Sequence, residues 1–181
     1  KIVSIVLALC LTVALAVPAF GAINVDNGDV SFAVASDLHY NVPEEELEWY
    51  SEDPIYGYAN RRAAMENESG LIIDEFLNQC AADDNVQFVL ISGDLADNGR
   101  SIPEEHYAVA EKLAKFEKDT GKQVYVIPGN HDFGNLGEYC EVDIARFVDI
   151  YADFGYNQAL TRVEGTGSYT ADLGGKYRLI A

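Results

Sequence analysis

Three short stretches hold the residues that could do chemistry: "SDLHY" (36–40), "SGDLADNG" (92–99) and "PGNHDFG" (128–134). In the first, Asp37 and His39 stand two apart, so a strand continued through them would project a carboxylate and an imidazole onto one face. In the second, Asp94 follows Gly93, and in the third, Asn130 and His131 follow Gly129. A glycine at each place lets the backbone turn sharply. Carboxylate, imidazole and amide oxygen together suit a borderline-hard divalent ion such as Mn, Fe or Zn, rather than copper or an iron–sulfur cluster. Taken singly, each piece carries little, because Gly-Asp and Gly-Asn ordinarily mark turns and nothing more. The weight comes from three of them in series, each closing an apolar run.

Those runs are the elements that must position the chemistry. Val30–Ser36, Val86–Ser92 and Gln123–Ile127 read as strands, the first apolar enough to be buried on both faces. Between the first two, Ala64, Leu71, Ile72, Phe76, Leu77 and Cys80 recur at helical spacing over Arg61 to about Ala82, with Gly70 as a place to break. Between the second and third, Ser101 precedes Glu104 by three with Pro103 in the first turn, and Gly121 supplies a stop, so a capping box opens a helix over 101–121. A fourth helix is expected over Val142–Phe154, with Ile144, Phe147, Val148 and Tyr151 on one face. The tail reads as a hairpin around Gly174 and Gly175. Strands alternating with helices imply right-handed crossovers and a parallel sheet, which gathers all three polar knots at the carboxyl edge, where open α/β sheets bind ligands.

The bulk composition narrows the function classes. With 181 residues and 49% hydrophobic content the chain is expected to build one globular core. Twelve Lys plus Arg against thirty Asp plus Glu give a net charge of -18, which repels phosphate backbones and anionic lipid, so no nucleic acid is expected as a stable partner. Lys1 followed by an apolar stretch and small residues up to Ala22 reads as a secretory signal peptide over 1–22, with cleavage after Ala19 or Ala22 left open. The competing reading is an uncleaved membrane anchor. Either way the expected location is secreted or cell surface. Cys10 would leave with the signal; export permits a Cys80–Cys140 disulfide, but two buried free thiols is the expected state.

The three motifs together resemble the calcineurin-like metallophosphoesterases, whose N-terminal half carries D-x-H, then G-D-x-x-D or a near variant, then G-N-H-D or G-N-H-E. The resemblance spans roughly Val30 to Phe133. It implies an α/β metallophosphoesterase-type sandwich of central β-sheets flanked by helices, with residues 23–181 forming the N-terminal part of the domain and the C-terminal part missing. It also implies two divalent metal ions: Asp37 and His39 on one, Asp94 bridging both, Asn130 on the second. His131 would face the substrate as proton donor or phosphoryl stabiliser, held by Asp97, since a carboxylate beside an imidazole favours the charged ring. Asp132 competes as that partner, though turn or helix capping is its commoner role. A water shared by the two ions would lose its proton readily and attack phosphorus in line. Asp97 also argues against the purple acid phosphatases, which carry a tyrosine there for ferric iron.

The resemblance further calls for a lone histidine and a G-H-x-H pair downstream. This chain has three histidines, His39, His106 and His131, and none after His131. His106, on an acidic stretch beside Tyr107, is expected to be a surface residue. The chain is therefore expected to be the N-terminal portion of a longer protein, offering three ligands to one ion and two to the other and binding a pair weakly. The implied activity is exported, metal-dependent hydrolysis of a phosphate mono- or diester, nucleotides among the candidate substrates. The alternative is a secreted or cell-surface interaction domain that keeps the fold without turnover. The segment Tyr40–Asn60, with Trp49, Tyr50, Tyr56 and Tyr58, reads as a surface loop whose aromatics either wall the substrate or pack beneath the loop. Arg61 and Arg62 either clamp a phosphate or pair with nearby glutamates.

Overall fold

The parallel sheet forms from the three apolar runs in the order β1 (Phe32–Ala35), β2 (Phe88–Ser92), β3 (Gln123–Ile127). The computed structural model describes residues 28–43, 66–134, 140–174 and 177–181, with 66 and 67 described by backbone alone. The expected signal peptide, the aromatics at 49–58 and the arginines at 61 and 62 lie outside those residues. Phe32 pairs with Phe88 and Ala35 with Ile91, while Phe88 pairs with Gln123 and Ser92 with Ile127. The two ladders therefore finish side by side, and the polar knots leave the sheet at one edge. Val89, Ile91 and Val126 have no exposed surface, each such side chain contributing about 1.5–3 kcal/mol by leaving water.

The first strand differs from expectation. It is four residues long rather than seven, and Phe32 and Val34 are 44% and 55% exposed. The reason is topological: among the described residues β1 has a neighbour on one side only, so an apolar sequence occupies an edge position. Phe32 is covered in part by stacking on Phe88, ring centroids 4.7 Å apart.

Helix α1 (Glu66–Ala82) runs through Gly70 without a break. A side chain at Gly70 would press on the Tyr40 ring, so the glycine is there for close approach. The end of α1 is held by Lys122, whose ammonium donates to the carbonyls of Cys80, Ala81 and Asp83 at 2.7, 3.2 and 2.8 Å. Helix α2 (Pro103–Thr120) ends at Gly121 as expected, with φ 71° and its N–H on the Glu117 carbonyl. Its start does not use the capping box: Ser101 makes no side-chain cap. The amides of Ser101 and Ile102 donate instead to the Asn98 carbonyl, and the Glu105 carboxylate takes the Asn98 N–H at 2.7 Å.

Helix α3 (Ile144–Ile150) is shorter than the stretch expected to Phe154. A π-type turn, Ala152–Tyr156, follows, with Gly155 at φ 105°. A Cβ at Gly155 would overlap the Tyr169 hydroxyl, and that hydroxyl donates to the Val126 carbonyl at 3.0 Å. The break in the helix thus seats the second sheet against β3. That sheet is antiparallel, β4 (Thr161–Arg162), β5 (Tyr169–Asp172) and β6 (Arg178–Ile180), with the expected hairpin around Gly174. The Tyr177 hydroxyl donates to the Gly28 carbonyl, joining this hairpin to the approach of β1.

Two further expectations change. His106 is not a surface residue; it has no exposure, because it shares a helical face with the buried Val109, Leu113 and Phe116. Both described cysteines are free, but only Cys80 is buried, Cys140 being half-buried. Among the described residues no helix is long and apolar enough to cross a membrane.

Candidate metal centre

Beyond Ala35 and Ser92 the two chains cease to be strands yet stay zipped. The amides of Asp37, His39 and Tyr40 donate to the carbonyls of Gly93, Asp94 and Leu95 at 3.1, 3.0 and 3.0 Å, and the Asp97 amide returns one to Tyr40 at 3.0 Å. The strand does not continue through Asp37 and His39, so they share no strand face; they lie past it at φ 56° and 43°. With Asp94 at φ 51° they are the non-glycine residues of positive φ among those described. Each such conformation costs on the order of 1 kcal/mol. The four backbone bonds of the zipper, each worth about 1 kcal/mol net, offset that cost. Strain gathered on three chemistry-bearing residues, held by their neighbours, is the mark of a built site.

The glycines of the motifs make the site possible. Gly93, at φ 101°, lies against Gly129, where any side chain would crowd the opposing backbone. A Cβ at Gly129 would overlap the Asp94 carboxylate and amide. The ends of β2 and β3 therefore close on each other with Asp94 between them.

Donor atoms of Asp37, His39 and Asp94 lie within 4.8 Å of one another, as do those of His39, Asp97 and His131. Hydrogen bonding tells the two groups apart. His39 Nδ1 is 2.9 Å from Asp97 Oδ1; a carboxylate accepts, so Nδ1 carries the proton. Nε2 lies 3.6 Å from Asp37 Oδ1 and 3.9 Å from Asp94 Oδ2. A histidine with one nitrogen held by a carboxylate and the other free among carboxylates is poised as a metal ligand. The Asn41 side chain steadies it by donating to the His39 carbonyl at 3.0 Å. Asp37 is exposed, and the Ser36 hydroxyl holds its carboxyl below the usual range, aided by His39 and His131.

Asp94 joins the two halves of the site. Its Oδ1 accepts the His131 amide at 2.8 Å while Oδ2 faces His39. His131 Nδ1 meets the Asp97 main-chain carbonyl at 2.7 Å, so Asp97 serves one imidazole through its side chain and the other through its backbone. The rings of His39 and His131 lie edge to face, centroids 4.7 Å apart. Asn130 is exposed at the turn just before His131.

Asp132 is fully buried and straps the turn: Oδ2 accepts the Gly129 amide at 2.7 Å and Oδ1 the Ala96 amide at 3.1 Å. Burial raises its carboxyl to about 6, Asp94 adding to the rise and the amides opposing it. Its capping role was visible in the sequence. Ser36, Asn41 and His106 were not singled out for the site; an Asx-type spacing at Asn41 and the periodicity of α2 at His106 were the available signals.

A parallel α/β sheet with a carboxylate–imidazole cluster at its carboxyl edge defines the class as a layered α/β protein with residues grouped so that they could hold a metal ion. The family model for calcineurin-like phosphoesterases matches residues 30–179, and the chain belongs to that family. No curated protein matches it. Membership brings metal-dependent phosphoester hydrolysis and divalent metals as the family's chemistry.

Proposed function

We propose that this chain carries the metal site of an exported phosphoesterase that hydrolyses a phosphate mono- or diester at a dinuclear centre. The observation that carries the reading is the coincidence of left-handed backbone with metal-donor geometry at Asp37, His39 and Asp94. The donor set fits: Asp37, Asp94 and Asp97 bring three carboxylates beside two imidazoles, an excess of negative charge that divalent cations offset. Asp37 and His39 would hold one ion, Asp94 would be shared, and Asn130 would reach the second. Bound there, Mn, Fe or Zn would supply Lewis acidity to the phosphoryl oxygens and acidity to a water.

The chain's own residues do the rest. Asp97 Oδ1 keeps the proton of His39 on Nδ1, so Nε2 stays a ligand. The Asp97 carbonyl fixes the Nδ1 proton of His131, leaving Nε2 as the nitrogen outside that bond. A protonated His131 then gives its Nε2 proton to the leaving oxygen while the bond to Asp97 is unchanged. Export is supported by the apolar stretch from Lys1 to Ala22.

The test is Mn-supported hydrolysis of an aryl phosphate by the full-length protein. Asp94→Ala is expected to abolish turnover. Unaltered turnover in that variant removes Asp94 from the site, and Mn binding without turnover in the unmutated protein returns the fold to the interaction-domain reading.

A further inference from the structure

Beneath the Asn130–Gly134 turn runs a buried chain of hydrogen bonds that the proposed chemistry does not use directly. His106, without exposure, places Nε2 2.8 Å from the Asp132 carbonyl and Nδ1 3.0 Å from the Tyr151 hydroxyl. A carbonyl only accepts, so the proton sits on Nε2. Nδ1 then has a lone pair and the Tyr151 hydroxyl must be the donor. Burial keeps the ring uncharged, its pKa lowered to about 4, which agrees with one proton shared in this way.

The surroundings are shaped for that ring. A Cβ at Gly99 would overlap His106 Nε2 and Cε1, so the last residue of the second motif clears the space. Phe147 and Tyr151 meet the imidazole edge to face, centroids 5.6 and 5.5 Å away. Three separated positions, Gly99, His106 and Tyr151, fit one another, and what they deliver is a single bond to the carbonyl that follows His131. The other carbonyl of that pair, on His131 itself, is taken by the Arg100 amide at 3.1 Å. Two successive carbonyls on the C-terminal side of the His131 imidazole are therefore held. An apolar side chain at 106 would fill the volume equally well but leave the Asp132 carbonyl buried and unpaired.

We infer that His106 is a positioning residue for His131: its Nε2–H fixes the Asp132 carbonyl and so the direction in which the His131 imidazole meets the leaving oxygen. The inference rests on the proposed role of His131 as proton donor. Glutamine can present an amide N–H near the place of Nε2, whereas leucine cannot.

The experiment compares His106→Leu and His106→Gln with the unmutated full-length protein by Mn calorimetry, hydrogen exchange over 128–134, and hydrolysis of phenyl phosphate and p-nitrophenyl phosphate. A misaimed acid matters most for the poor leaving group. His106→Leu is expected to lower kcat on phenyl phosphate on the order of ten- to a hundredfold and far less on p-nitrophenyl phosphate. KM and Mn affinity should stay unchanged and the turn amides should exchange faster, with His106→Gln restoring both rate and protection. Equal losses on the two esters, loss of Mn affinity, or no effect of leucine overturns the inference. Should the leucine variant fail to fold, Tyr151→Phe, which removes the donor to Nδ1, is read by the same criteria. If the unmutated protein hydrolyses neither ester, the role of His131 falls separately. Exchange then still decides: unchanged protection in His106→Leu rejects the strap, and faster exchange restored by glutamine upholds it.

Discussion

At the residue scale, Asp97 is the position where sequence and structure teach most. Its spacing three after Asp94 was legible as a motif, but not that its carboxylate would meet His39 and its carbonyl His131, because which group turns where depends on the loop's conformation. That conformation leaves no periodic trace, and for the same reason the left-handed backbone at Asp37 and His39 was not legible. Asp97→Ala is expected to weaken Mn binding about 10–100-fold in a calorimetric titration, since the imidazole of His39 loses its anchor. Gly129→Ala forces a methyl into the Asp94 carboxylate. A fall of about 1–3 kcal/mol in denaturant stability, together with weaker Mn binding, is the expected outcome.

At the scale of elements, β3 was legible to its ends because it is short, apolar and bounded by Gly121 and Pro128. The break after α3 was not, because the apolar spacing continues through Phe154 while the backbone is redirected by a tertiary contact, the Tyr169 hydroxyl lodged against Gly155. Gly155→Ala puts a methyl where that hydroxyl sits and strains a φ of 105°. It is expected to lower the melting temperature and to expose the β3–β5 seam to hydrogen exchange, at a cost of about 1–3 kcal/mol. The exposure of β1 escaped the sequence for a related reason: hydrophobicity reports burial appetite, whereas an edge position is a property of the sheet order.

Across the whole molecule, the layered α/β class and the gathering of three motifs at one edge were readable, since alternation of strands and helices fixes handedness and direction. Buried titratable groups were not. Glu117 accepts the Val124 amide at 2.7 Å, and burial raises its carboxyl from 4.5 to about 7, with Asp153 adding to the rise. A raised carboxyl makes the folded state the better proton binder, so its contribution is fully present below 4.5 and is lost as pH climbs to about 7. The loss amounts to about 3 kcal/mol. Glu117→Gln keeps an acceptor for Val124 without a charge, and the melting-temperature difference between pH 5 and pH 8 is expected to narrow in that variant. His106 works in the opposite sense, its pKa falling from 6.5 to about 4, so its share is lost as pH drops through that interval.

The hydroxyl of Tyr177 on the carbonyl of Gly28 spans 149 positions of chain. During synthesis this latch closes after β1 and β2 are both available to pair, because its donor leaves the ribosome long after its acceptor. A nascent chain stalled before Tyr177 would carry the run into β1 unfastened, open to proteases and slow to settle, as long-range pairings are.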